Sequence, residues 1–361
     1  MVPYPREGVC ICMKKILIAL GVVFGVVLLA AVGLVTYLTV TEYSPADVEA
    51  LAITLSAQRA GVSVGDRLDV MTFNTGYGAL GRDADFFMDG GTGVNPESQA
   101  VVEDNITGIL SALTLKNADI YLLQEVDRDS ARSYHIDQAE FYRHGLSMNM
   151  AYAANYRCAF VPFPWPPIGQ VDSGLVTFTN LDASGAVRES LPVPFSWPVR
   201  VANLKRCLLI ERVPVSGTDK ELVIVNLHLD AYDDGSGKAA QTEQLMNLLH
   251  MEYRAGNYVI AGGDFNQTFE PGGELLSPDY WQPGELDPAD LPEGFSYVYD
   301  ASGPTCRLLN QPYTGDRSRT QLYGIDGFIV SDNLKINHVE TIDLNFLNSD
   351  HNPVFLQVTL Q

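Results

Sequence analysis

The stretch Val259-Ile260-Ala261-Gly262-Gly263-Asp264-Phe265-Asn266 is an apolar run that ends in two glycines, an acid and an amide. An apolar run of this length, bounded by glycine, reads as a buried strand whose end lets side chains converge on a cleft. Other runs are built alike. Met71-Thr72-Phe73 leads to Asn74, Leu122-Leu123-Gln124 leads to Glu125, and Ser349-Asp350-His351 precedes the apolar residues 354–360. An Asp beside a His places a hard oxygen ligand next to a proton donor. Taken singly, each segment also fits a strand closed by a polar turn. Four apolar strands carrying oxygen-bearing residues at their ends point to an assembled site.

Around these segments the chain repeats one grammar. Residues 68–73 read as a strand, and within 98–117 Val102, Ile106, Ile109, Leu110 and Leu113 recur at helical spacing before an apolar strand at 119–123. The second half shows a strand at 222–229, a helix at 238–253 with Leu245, Leu248 and Leu249 on one face, and a strand at 258–263. Two such halves predict two packed sheets with helices outside. Further strands are expected at 174–179, 207–213, 324–330 and 354–360. No repeat of solenoid period is present. The proline- or glycine-rich stretches 160–170, 191–199 and 271–293 are too long for simple turns and are expected to be surface loops rimming a site.

From Ile16 to Thr41 no residue is charged, a longer run than the roughly 20 residues a helix needs to cross a bilayer. The expected organisation is a cytoplasmic tail at 1–15, a transmembrane anchor at 16–41, a stalk at 42–66 and one catalytic domain at 67–361. A secretory signal is the alternative, but its apolar region of about 7–15 residues and its small-residue cleavage site are not seen before Glu42. Lys14 and Lys15 precede the run while Glu42, Asp47 and Glu49 follow it, which by the positive-inside rule puts the large domain outside a cell membrane. Met13-Lys14-Lys15 also resembles the start of a bacterial export segment, which makes Met13 an alternative start. The formal charge is −21, and since Arg6, Glu7, Lys14 and Lys15 give the tail +2, everything beyond the run carries −23. Such an exterior disfavours nucleic acid without a local basic groove. Cys158, Cys207 and Cys306 beyond the run have no zinc spacing, so buried thiols, or one pair and an orphan, are expected.

The ordered segments Thr72-Phe73-Asn74, Gln124-Glu125-Val126, Asn226-Leu227-His228-Leu229, Gly263-Asp264-Phe265-Asn266, Gly324-Ile325-Asp326-Gly327 and Ser349-Asp350-His351 resemble the motifs of the endonuclease/exonuclease/phosphatase superfamily. That superfamily includes type I deoxyribonuclease, abasic-site endonucleases, neutral sphingomyelinases and inositol polyphosphate 5-phosphatases. The resemblance covers residues 68–360. It implies a four-layer α-β-β-α sandwich, like that of type I deoxyribonuclease, behind one transmembrane helix, in a membrane-anchored bacterial member. It implies that Glu125 binds a catalytic Mg²⁺ or Mn²⁺, with Asn74 and Asp350 close to that ion or a second one. Asp264 would orient or deprotonate the attacking water, and Asn266 would hold the phosphate or that water. His351 would sit at the phosphate, oriented by Asp326. His228 matches the deoxyribonuclease and sphingomyelinase branches, where a histidine at this place is the general acid. His135, His144, His250 and His338 fall outside the motifs, and Arg206 is a candidate phosphate contact or an ion-paired residue.

Departures narrow the branch. The tryptophan-rich signatures of the 5-phosphatases are missing from Asp264-Phe265-Asn266-Gln267-Thr268 and Pro304-Thr305-Cys306-Arg307, which argues against an inositol polyphosphate. The expected function is a Mg²⁺-dependent phosphodiesterase or phosphatase outside the membrane, with a phosphodiester, a phosphomonoester or a phospholipid head group as substrate. An extracellular nuclease and a membrane-tethered binding protein that has lost its chemistry are the alternatives.

Overall fold

The computed structural model describes residues 6–56, 59–232, 235–270 and 275–361, with side chains from Lys15 onward. Two sheets face each other. One runs in the order Val48–Leu51, Gly185–Ser190, Cys207–Ser216, Glu221–His228, Tyr258–Asp264, Asp326–Ser331 and Phe295–Val298, with Val62–Ser63 added beside Cys207–Ser216. The other runs Leu334–Thr341, Val354–Leu360, Arg67–Asn74, Ile120–Asp127, Gly169–Thr179, Asn149–Val161 and Ile53–Thr54.

The apolar alternation of these strands decides what lies on each side. Leu68, Val70, Leu122, Leu222, Ile224 and Ile260 meet in the core between the sheets. Side chains of opposite parity face outward. Met71, Phe73, Tyr121 and Leu123 pack under the helices Gln99–Leu113 and Gln138–Leu146, whereas Val223, Val225, Val259 and Ala261 pack under Ser236–Arg254. The result is the expected four-layer α-β-β-α sandwich.

Each half contains a parallel pair joined by a helix. Arg67–Asn74 runs parallel to Ile120–Asp127 with Asn74 opposite Gln124, and Glu221–His228 runs parallel to Tyr258–Asp264 with His228 opposite Asp264. A helix lies between the strands of each pair, as a parallel crossover requires. The carboxyl ends of all four strands therefore open on one edge of the sandwich, where open α/β sheets place their ligands.

The described residues of 42–66, a segment expected as a stalk, contribute strands to both sheets. Val48–Leu51 pairs antiparallel with Gly185–Ser190, Ile53–Thr54 with Asn149–Val161, and Val62–Ser63 parallel to Cys207–Ser216. Backbone pairing at the sheet edges outweighs the polar composition from which a stalk was expected. Ahead of them, the helix Arg6–Val40 is 35 residues long, and its stretch Lys15–Val40 is long and apolar enough to cross a membrane. At 1.5 Å per residue that stretch measures about 39 Å, against roughly 30 Å of bilayer hydrocarbon. Its last turns touch the domain: Leu38 is buried with Val161, Val171 and Val201, and Glu42 pairs with Arg200 at 2.9 Å and Lys205 at 3.3 Å.

Candidate active site

The strand ends deliver their side chains by distinct local devices. Glu125 lies at a β-bulge between Leu123 and Val126, where its backbone takes φ +54°. A bulge puts one extra residue on its strand and re-aims a side chain; here it turns the Glu125 carboxylate into the cleft. Asn266 also has positive φ, +50°, and its backbone N–H donates to Asp264 Oδ1 at 2.8 Å. Gly263 sits one residue before Asp264 with φ +154°, and a Cβ there would stand 1.9 Å from the Leu227 carbonyl oxygen. Only glycine lets the strand bring Asp264 this close to His228.

Three side chains from three strand ends converge on one oxygen of Asp264. Asn74 Nδ2 donates to Asp264 Oδ2 at 3.0 Å, His228 Nε2 lies 3.3 Å from it, and His351 Nε2 lies 3.7 Å from it. Asn74 Nδ2 is also 3.3 Å from Glu125 Oε1, which His228 Nε2 approaches to 4.0 Å. On its far side His351 Nδ1 meets Asp326 Oδ2 at 2.8 Å. Asp326 is held in turn by its strand position opposite Asp264 and by the Thr305 hydroxyl, which accepts from its backbone N–H at 3.1 Å.

Burial sets the charges. It pushes the Asp264 carboxyl up to about 6, with the neighbouring Asp326 adding to the rise. It pushes Asp350 up to about 7, against the pull of His351 and with the charge of Glu125 adding to the rise. Burial likewise holds the His228 ring well below the ordinary histidine range, with the cations Arg206 and His351 acting in the same direction. For His351 burial opposes the charged form, yet the Asp326 carboxylate in contact with it keeps the ring well above that range. Of two histidines facing the same carboxylate, one is neutral and the other cationic.

All eight residues expected from the sequence meet at this edge: Asn74, Glu125, His228, Asp264, Asn266, Asp350 and His351 line one cleft, and Asp326 stands behind His351. His135 pairs with Asp129 on the surface, His338 lies beside Glu340, His144 is exposed next to Glu140 and His250 is exposed on its helix; none of the four lines the cleft.

Sequence reasoning missed Cys306 and Arg132. Cys306 forms an isolated bridge with His351 and groups with Asp350 and His351 as a set that could hold a metal ion; Asp264, Asp326 and His351 form a second such set among the described residues. Burial pushes the Cys306 thiol up to about 12, so it faces the carboxylates as a neutral thiol. Cys158 and Cys207 are likewise buried and free. Arg132 stacks 3.7 Å from the Tyr77 ring and binds Asp127 at 3.0 Å. Arg206 is ion-paired to Asp230 at 3.1 Å, with both groups buried. No linear motif announces these contacts.

Residues 71–351 match the sequence profile described as the Endonuclease/Exonuclease/phosphatase family. The chain belongs to this family. No curated protein matches it significantly by sequence. Among solved structures, the endonuclease/exonuclease/phosphatase from Beutenbergia cavernae DSM 12333 is similar over 81% of this chain and 72% of its own, at 18% identity and a TM-score of 0.56. A functionally unknown conserved protein from Enterococcus faecalis V583 is similar over 81% of this chain and 100% of its own, at 17% identity and a TM-score of 0.55. The endonuclease/exonuclease/phosphatase from Bacteroides vulgatus covers 82% of this chain and 100% of its own, at 18% identity and a TM-score of 0.52. At such identities these structures establish the shared fold.

Proposed function

We propose that the protein is a metal-dependent phosphoesterase that hydrolyses its substrate by in-line attack of water, on the outer side of a membrane that its N-terminal helix spans. The observation that carries this reading is the convergence of Asn74, His228 and His351 on Asp264 Oδ2.

The donor set fits a small hard cation. Glu125 and Asp350 offer carboxylate oxygens, while Asn74 turns its amide nitrogen to Glu125 and its oxygen to the Gly76 N–H; the raised Asp350 carboxyl reflects burial next to the Glu125 charge, a cost that a bound divalent cation offsets. Glu125 and Asp350 would hold the ion, with Asn74 beside it. When bound, Mg²⁺ or Mn²⁺ supplies positive charge to phosphate oxygens.

The chain's own residues account for the rest. Asp264 Oδ2, aligned by Asn74, orients the attacking water and takes its proton; its raised affinity for protons suits a base working near neutrality. Asn266 donates one amide hydrogen to the Leu229 carbonyl at 2.8 Å, which leaves the other for the water or a phosphate oxygen. His351, kept cationic by Asp326, stabilises negative charge on the phosphoryl group and provides a proton for the leaving oxygen. The family resemblance gives that last role to His228, but its buried ring is neutral and serves as a hydrogen-bond donor.

Release of 4-nitrophenol from bis-(4-nitrophenyl) phosphate, with Mg²⁺ and with EDTA, tests this function in the wild type, Asp264→Ala and His351→Ala. Metal-dependent turnover that both substitutions abolish is expected. Absence of such turnover, or full activity in both variants, overturns it.

A further inference from the structure

The reacting groups occupy one end of a cleft of about 720 Å³, within the several-hundred-Å³ range of small-molecule sites. Its other end is walled by the N-terminal helix itself, through Leu34, Val35 and Leu38. The helix is held there by more than apolar contact. Trp197 Nε1 donates to Thr39 Oγ1 at 3.1 Å, and Glu42 just beyond is clamped by Arg200 and Lys205.

The lip of the cleft at this end comes from the two loops around Phe163 and Val199. Phe163 is 69% exposed and Val199 58%, while Trp165 and Trp197 in the same loops are 88% and 58% exposed. Large apolar side chains left open to water at one place mark a contact surface. These stand beside the carboxyl end of a helix long enough to span a bilayer, where aromatic residues are enriched at the membrane–water boundary. Phe86, Phe87 and Leu309 add to the apolar lining, and the Phe87 ring meets that of Phe163 with centroids 6.0 Å apart.

The cations argue against a polyanion. Arg132 is held by Asp127, Arg206 by Asp230, and the buried Arg307 by the carbonyls of Gly81 and Ala84, so the cleft offers no basic trough for successive phosphates. One set of reacting groups in a lining that is otherwise mainly apolar, with its other charged members Asp89, Arg132, Arg206, Asp230 and Arg307 already partnered, matches one phosphodiester attached to hydrocarbon.

We infer that the substrate is a phospholipid of the bilayer in which the N-terminal helix stands, entering sideways past the Phe163 and Val199 lip with hydrocarbon along Leu34 and Leu38 and its phosphodiester at Asp264 and His351. This rests on the phosphoesterase function proposed above. In the reaction, water oxygen bonds to phosphorus, one P–O ester bond breaks, and the departing alcohol oxygen takes the proton.

The full chain is reconstituted with Mg²⁺ into vesicles of phosphatidylcholine, phosphatidylethanolamine, phosphatidylglycerol and sphingomyelin, and lipid loss is followed by mass spectrometry. Bis-(4-nitrophenyl) phosphate is assayed in parallel as a soluble diester that does not use the lip. Metal-dependent consumption of at least one lipid is expected. In Phe163→Asp/Val199→Asp, whose altered side chains are exposed in the wild type, lipid consumption should fall at least tenfold while turnover of the soluble diester stays within twofold. Turnover of the soluble diester with every lipid untouched overturns the lipid inference and leaves the phosphoesterase standing. Lipid consumption unchanged by the double substitution, or an equal loss on both substrates, overturns the assigned entry route. A concentration-dependent dimer in detergent that the double substitution abolishes gives the lip to a second copy of the chain instead. Absence of turnover on both kinds of substrate overturns the phosphoesterase reading, and the lipid with it.

Discussion

Gln124 and Asn226, one from each sheet, are joined side chain to side chain through the middle of the sandwich, Gln124 Nε2 donating to Asn226 Oδ1 at 2.8 Å. Asn226 Nδ2 donates onward to the carbonyl oxygens of Leu123 and Val176, at 3.1 and 2.9 Å. Glu125 follows the first residue of this bridge and His228 comes two after the second. The bridge thus fixes how far apart the two halves of the site stand.

Asn226→Ala leaves the Gln124 amide only its bonds to Leu122 O and Thr72 Oγ1 and takes the side-chain donor from the Leu123 and Val176 carbonyls, which should cost about 1–3 kcal/mol for weakened buried hydrogen bonding. Urea unfolding of wild type and variant measures it. A loss below about 0.5 kcal/mol would mean that the sheets keep their spacing without the bridge.

Asp326→Asn removes the charge that keeps His351 protonated while preserving the shape of its partner. Turnover number should fall by about a hundredfold or more, as expected for a misassigned proton donor, with KM changing far less. The imidazole, followed by NMR, should titrate at lower pH than in the wild type. An unchanged His351 titration would contradict the assigned orientation.

Glu211 offers a pH test remote from the chemistry. It is fully buried, neither carboxyl oxygen has a hydrogen-bond partner among the described residues, and burial pushes its carboxyl up to about 8. The folded protein therefore binds a proton there more tightly than the unfolded chain, whose Glu titrates near about 4.3. Stability should fall as pH rises through the window between these values. Glu211→Gln should remove that slope, so that its melting temperature exceeds the wild type's by more at pH 9 than at pH 5. Equal differences at both pH values would contradict the burial argument.

Asp350→Asn separates stability from function at the proposed ion site. Without metal, replacing a carboxyl that burial pushes up to about 7 should leave the protein as stable as wild type, or more so, at pH 8. Saturating Mg²⁺ should stabilise the wild type, by about 2.7 kcal/mol at a hundred times Kd, and stabilise the variant far less. Thermal unfolding with and without the ion distinguishes them, and an equal Mg²⁺ shift in both proteins would remove Asp350 from the ligand set.

What the sequence disclosed follows from where its signals are local. The runs ending in Asn74, Glu125, His228 and Asp264 were legible because a buried central strand must be apolar and its polar end is then conspicuous. The strand Asn149–Val161 was not, since its alanines and tyrosines give no clear alternation and it is fixed by pairing with Gly169–Thr179. The helix Gln138–Leu146 is mostly polar, and the edge strands within residues 42–66 are two to four residues long, so neither carries a period. The site divides similarly. Motif residues were visible, whereas Cys306 is brought to His351 by a backbone bridge between distant segments and Arg132 reaches Tyr77 only through the fold.

An N-terminal helix that walls part of the cleft is a component of it. A soluble fragment trimmed to the sandwich would lack Leu34, Val35 and Leu38 and open that end of the cleft to water. Its rates on small chromogenic esters would then describe the reacting groups and say nothing of selectivity. Screening such a fragment against soluble compounds would be blind to the ligands that the intact chain is shaped to choose.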